Sequence, residues 1–128
     1  MSYKILTIDD SRMVRLIVAK AFQPHGCEVY EASNGADGLT TAQTIVPDLI
    51  FLDITMPDMS GLVVLEKLRQ INSLAGIPII MLTAESGNIS IERADKSKVI
   101  GYISKPFKAE QLVDLAGKVL TLQSVVTS

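Results

Sequence analysis

The sequence predicts an α/β fold, a doubly wound five-stranded parallel sheet with five helices, and three observations lead there. Short apolar runs alternate along the chain with longer segments of helical period, the signature of successive βα units. Two of the runs, residues 49–52 and 77–82, are apolar without interruption, as strands covered by helices on both faces must be. Turn-forming residues separate the segments, at Pro24 and Gly26, at Ser33-Asn34-Gly35 and at Pro47.

The elements follow in order. Lys4 to Ile8 reads as the first strand, and Val14, Ile17, Val18, Ala21 and Phe22 recur at the spacing that lays an apolar stripe on one helix face. Residues 29–32 form a brief, partly polar strand suited to a sheet edge, and Ala36, Leu39 and Ala42 mark the next helix. After the strand at 49–52, Leu62, Leu65 and Leu68 stripe a third helix, and residues 77–82 give the fourth strand. The segment 87–98 is assigned as the fourth helix despite Gly87, Asn88 and the β-branched Ile89 and Ile91, all weak helix formers. Residues 99–104 are the fifth strand. Leu112, Leu115, Ala116, Val119 and Leu120 stripe the last helix, with residues 123–128 as a frayed tail.

Composition narrows the function classes. One hundred and twenty-eight residues make a single domain, large enough to bury about two-thirds of its unfolded surface. Apolar residues are 48% and charged residues 20%, which excludes a disordered chain. A net charge of −2 without a basic run argues against nucleic acid and membrane surfaces as partners. Cys27 is the only cysteine and reads as a small buried hydrophobe. No signal peptide and no apolar run of about 20 residues is present, so a cytoplasmic location is expected. The nucleotide-binding patterns G-x-x-x-x-G-K-[ST] and G-x-G-x-x-G after the first strand are both missing.

The chemistry lies at strand ends. Asp9 and Asp10 follow the first strand and Asp53 the third, and in the flavodoxin-like order 2-1-3-4-5 those two strands are neighbours at the switch point where ligands bind. Two like charges about 4 Å apart repel by about 4 kcal/mol at an effective dielectric of 20, so the cluster invites a cation. Mg²⁺ suits it, taking one or two carboxylates while keeping room for phosphate oxygens. Thr83 after the fourth strand and Lys105 after the fifth add a hydroxyl donor and a point charge. Asp53, alone at its strand, is placed to act as a nucleophile that forms an aspartyl phosphate. Taken singly, these residues also suit plainer roles: Asp9-Asp10-Ser11 as a helix cap, Asp53 in a turn, Thr83 as a cap, Lys105 as solvated surface. Four strand ends bearing phosphoryl chemistry together outweigh those readings. His25 reads as a helix-end residue, and Met56 and Met59 as packing.

As a set these residues resemble the receiver domain of bacterial two-component response regulators, over essentially the whole chain. The acidic pair Asp9-Asp10, the run Asp53-Ile54-Thr55-Met56-Pro57-Asp58-Met59-Ser60-Gly61, the pair Thr83-Ala84 and the triplet Lys105-Pro106-Phe107 carry the resemblance. It implies a stand-alone, chemotaxis-type signalling switch rather than an enzyme. Asp53 would accept a phosphoryl group from a histidine kinase, a phosphotransfer protein or a small acyl phosphate, and later lose it by self-hydrolysis. Asp10, Asp53 and the Thr55 backbone carbonyl would hold Mg²⁺, with Asp9 acting through water. Thr83 and Lys105 would contact the phosphoryl oxygens, Tyr102 would turn inward as the aromatic switch, and Thr55 and Glu85 would tune dephosphorylation. The Lys105–Pro106 bond would be cis. A downstream protein partner would meet the face of the segment 87–98, the fifth strand and the last helix, with Lys96 and Lys98 as a basic edge, and the chain would be a monomer or weak dimer. The run Lys96-Ser97-Lys98-Val99-Ile100-Gly101 departs from the family pattern of small residues and a Gly, which implies a differently shaped turn at Lys98. Two other readings compete: an aspartate-nucleophile phosphatase, opposed by Thr55 where that class has a second Asp, and a receiver-like interaction module with an inactive site.

Overall fold

The computed structural model describes residues 2–84 and 99–122. β1 (Lys4–Ile8), β2 (Glu28–Ala32), β3 (Leu49–Asp53), β4 (Ile79–Thr83) and β5 (Gly101–Ser104) form one sheet in the order β2-β1-β3-β4-β5, every pair parallel. The strand order is the one the sequence predicts. Four α-helices stand among the described residues: α1 (Arg12–Phe22), α2 (Gly35–Ile45), α3 (Gly61–Gln70) and α4 (Ala109–Ala116). The helix expected at 87–98, the turn at Lys98 and the tail 123–128 lie outside the described residues.

Strand alternation sends side chains to two cores. Leu6, Ile8, Ile50, Leu52, Ile79 and Met81 face Ala42 of α2 and Leu62, Leu65 and Leu68 of α3. Their neighbours Ile5, Leu49, Phe51, Ile80, Leu82 and Ile103 face Val18, Ala21 and Phe22 of α1 and Leu112 and Ala116 of α4. A period of two with both faces apolar explains why β3 and β4 are buried at every position. β2 is an edge strand with Glu28 and Glu31 exposed, and Cys27 is buried beside α1.

Helix starts are set by short polar side chains. The Ser11 hydroxyl accepts from Val14 N–H, Asn34 Oδ1 from Asp37 N–H, and Ser60 Oγ from Leu62 N–H. β4 begins at Ile79 rather than Ile77, because Pro78 has no N–H to donate and offers only its carbonyl, which accepts from Ile50. One boundary corrects the sequence reading. α4 ends at Ala116, and Val119, expected in the buried stripe, is 42% exposed, whereas Leu120 is buried. At Gly117 the chain tightens: Lys118 and Val119 donate three residues back, to Leu115 and Ala116, and this narrower turn rotates Val119 outward.

Candidate functional site

The parallel sheet delivers its functional side chains to one edge. Asp53 is the last residue of β3 and Thr83 of β4, both buried, and Asp9 follows β1 directly, fully buried. Backbone bonds continue the ladders past the strand ends and fix this edge: Asp9 N–H donates to the Ala32 carbonyl at 3.0 Å, Ile54 N–H to Leu82 at 3.0 Å and Lys105 N–H to Thr83 at 2.7 Å. Ligand oxygens of Asp9, Asp10 and Asp53 all lie within 4.8 Å of one another, Asp10 being the exposed member. Lys105 Nζ reaches across from the end of β5 to Asp9 Oδ2 at 3.0 Å and Asp53 Oδ1 at 3.1 Å. Asp9 Oδ1 also accepts from Ser11 N–H at 2.8 Å, and Asp53 Oδ1 from Thr55 N–H at 3.3 Å. The peptide bond after Lys105 is cis.

Electrostatics follow from that packing. Burial, then the charge of Asp9, pushes the Asp53 carboxyl up to about 6 against the pull of Lys105. Burial alone would lower the Lys105 ammonium, but hydrogen bonds and charge from Asp9 and Asp53 outweigh it and hold the group above its ordinary value. A buried carboxylate beside a second one, balanced by one ammonium, is a site that favours additional positive charge. Three carboxylates offer hard oxygen donors only, the donor set that Mg²⁺ accepts, so the residues present fit that cation.

Two contacts shape the loop after Asp53. Gly61 N–H donates to the Ile54 carbonyl at 2.7 Å, and a Cβ at Gly61 would fall onto the Asp53 carbonyl, so only glycine lets α3 begin this close to the site. Asp58 accepts from Gly35 N–H at 3.0 Å and Ala36 N–H at 3.1 Å, pinning the loop to the start of α2.

Of the residues singled out in sequence, Asp9, Asp10, Asp53 and Lys105 are brought together, with Thr83 ending the strand next to β3. Thr55 is exposed beside Asp53. Tyr102 is half-buried in β5, opposite Met81, and packs on the core shared with α2 and α3. Glu85 lies outside the described residues. Met56 is buried and Met59 packs against the same core, as expected. Sequence reasoning missed two residues. Arg15 donates to the Asp9 carbonyl, and its signal was a cation flanking the apolar stripe of α1, next to Val14. Asp58 stands in the run after Asp53 with no role assigned to it from sequence, although an Asp beside Pro in a loop is a turn signal.

Residues 5–116 match the family described as the response regulator receiver domain. Chemotaxis protein CheY of Bacillus subtilis is 33% identical over 94% of this chain and 99% of its own length, and sporulation initiation phosphotransferase F of the same organism is 29% identical over 97% and 98%. Sensor histidine kinase CheAY of Helicobacter pylori is 32% identical, but the chain spans only 15% of it. Among solved structures, chemotaxis protein CheY4 of Vibrio cholerae superposes with a TM-score of 0.88 at 32% identity, covering 94% of this chain and all of that one. With an acidic strand-end cluster bridged by lysine on this sheet order, and a family match over most of its length, the chain belongs to the response regulator receiver domains of two-component signalling.

Proposed function

We propose that the protein is a phosphorylation-controlled switch whose phosphoacceptor is Asp53. The observation that carries this is the Lys105 ammonium bridging Asp9 and Asp53 at the ends of three strands, with the exposed Asp10 carboxylate completing the cluster. Asp53 attacks the phosphorus of a phosphohistidine or small acyl phosphate through a carboxylate oxygen. A P–O bond forms on Asp53 as the bond to the donor's nitrogen or oxygen breaks, and the donor leaves with the electron pair. Asp10, Asp53 and the Thr55 carbonyl would hold Mg²⁺, with Asp9 acting through water; when bound, the ion offsets negative charge on the transferring group. Lys105 then follows the phosphoryl oxygens, and Thr83 donates its hydroxyl to them. Water later cleaves the acyl phosphate, at a rate tuned by Thr55 and Glu85.

Movement of Thr83 toward the phosphoryl group frees space that Tyr102 turns into. The changed surface of β5, α4 and the segment 87–98 then binds a downstream protein. A histidine kinase or phosphotransfer protein supplies the phosphoryl group, in the cytoplasm, to a monomer or weak dimer. No helix among the described residues is long and apolar enough to cross a membrane.

Incubation with acetyl phosphate and Mg²⁺ should add one phosphoryl group by mass, lost entirely in Asp53→Asn and in excess chelator. Label mapped to any other residue would overturn the assignment.

A further inference from the structure

Arg15, on the first turns of α1, sends its guanidinium back to the end of β1. Nη1 donates to the Asp9 carbonyl at 2.7 Å, and Nε pairs with Glu31 Oε1 of β2 at 3.0 Å. The arginine side chain is 15% exposed and Glu31 48%, so the cation is largely enclosed and its partner wet. The Asp9 main chain is thereby tied to β2 twice, directly through its N–H on the Ala32 carbonyl and indirectly through Arg15 and Glu31.

The carbonyl that Arg15 holds belongs to the Asp9–Asp10 peptide. The plane of that peptide sets the direction in which Asp10 leaves the strand, and Asp10 is the exposed carboxylate of the cluster. The Asp9 side chain is secured independently, by Ser11 N–H and Lys105. A guanidinium is planar and permanently charged, and two of its N–H vectors used at once fix an orientation that a single ammonium donor leaves free.

We propose that Arg15, anchored by Glu31, is a positioning residue for the acidic pair: it fixes the Asp9–Asp10 peptide so that the Asp10 carboxylate is already placed for a divalent cation. The proposal rests on the reading that Asp10 and Asp53 hold Mg²⁺. Groups that orient ligands from behind typically contribute 10- to 100-fold in metal affinity. An ion pair serving only to join α1 to β2 would alter thermal stability and leave that affinity alone.

The test uses the full chain and Mg²⁺ alone, titrated by amide NMR at Asp10 and Ser11, followed by initial rates with acetyl phosphate across Mg²⁺ concentrations. In Arg15→Ala the dissociation constant for Mg²⁺ should rise about tenfold. The Mg²⁺ concentration for half-maximal rate should rise with it, and the maximal rate should stay within about twofold of the wild type. Arg15→Lys, able to reach the carbonyl but not to fork, should recover part of the affinity, and Glu31→Gln should lose about two- to threefold. Wild-type affinity in a folded Arg15→Ala overturns the proposal, as does a lower maximal rate at unchanged affinity. Should Arg15→Ala fail to fold, unchanged Mg²⁺ affinity in both Arg15→Lys and Glu31→Gln overturns it equally. A wild-type protein that takes up no Mg²⁺ would defeat the functional reading and this proposal together, whereas wild-type binding with unaltered variants defeats the proposal alone.

Discussion

At the scale of single residues, Asp53 is held in an environment that disfavours its own charge. Its carboxyl titrates at about 6, above the ordinary 3.8, because it is buried and faces Asp9. The folded chain therefore holds this proton more tightly than the unfolded chain does, and stability falls as pH rises between those two values, the loss being complete above about 6. In chelator at pH 7.5, Asp53→Asn should stabilise the protein by about 1 kcal/mol, roughly 4 °C in melting temperature, with the gain shrinking toward pH 4. Thermal melts across pH check this, and a destabilised Asn variant would contradict it. The residues that make up this corner were legible in sequence because each sits where an apolar run stops, at Asp9, Asp53, Thr83 and Lys105. Arg15 and Asp58 were not, because their meaning lies in contacts made across the fold: Arg15 of α1 with Glu31 of β2, Asp58 of the loop before α3 with Gly35 at the start of α2. Periodicity sees neighbours along the chain and is blind to such pairs.

Elements carry their own local tensions, and the end of α2 shows one. Val46 closes that helix with φ 47°, a left-handed conformation that a β-branched residue resists, while 45% exposed and so contributing little burial. Relief of about 1–2 kcal/mol of strain, less the flexibility that glycine adds to the unfolded chain, leaves Val46→Gly more stable by about 0.5–1 kcal/mol in denaturant melts. The opposite end of α2 depends on Asp58, whose carboxyl is held below its ordinary value chiefly by the Gly35 N–H, with Ala36 adding to it. Its contribution is present above the ordinary carboxylate range and disappears as pH falls through the lowered value. Asp58→Asn should thus unfold more readily at neutral pH and show a shallower loss on acidification, read from circular dichroism against pH. Among the described residues, strand positions were legible to within a residue or two, since burial on both faces leaves continuous apolar runs. The end of α4 was misjudged because an apolar stripe continues past Gly117 in sequence, while the backbone there tightens and turns Val119 to solvent.

For the molecule as a whole, the acidic corner has the donor set to hold a cation, and the proposed function makes it a reserve of binding energy. Mg²⁺ at ten times its dissociation constant should stabilise the fold by about 1.4 kcal/mol, about 5 °C in melting temperature, and by less below pH 6 where a proton on Asp53 competes. A melting temperature indifferent to Mg²⁺ at pH 7.5 would refute this. The global topology was legible because parallel βα units leave few alternatives, and the observed order puts β1 beside β3 as the acidic pair and Asp53 require. That order also has a consequence in time. The carboxylates come from residues 9, 10 and 53, but the ammonium that bridges Asp9 and Asp53 comes from residue 105, just past β5. A ribosome releases Lys105 only after the residues of β1 to β4 have emerged, and until β5 docks beside β4 the three acids repel without that ammonium between them. If Asp53 is the phosphoacceptor proposed above, its capacity to take up a phosphoryl group should therefore appear late, after the central strands have paired. Under the proposed function, a pulse of labelled acyl phosphate during refolding or synthesis would serve as a clock for the docking of β5, so that the signal is written only after that strand is in place.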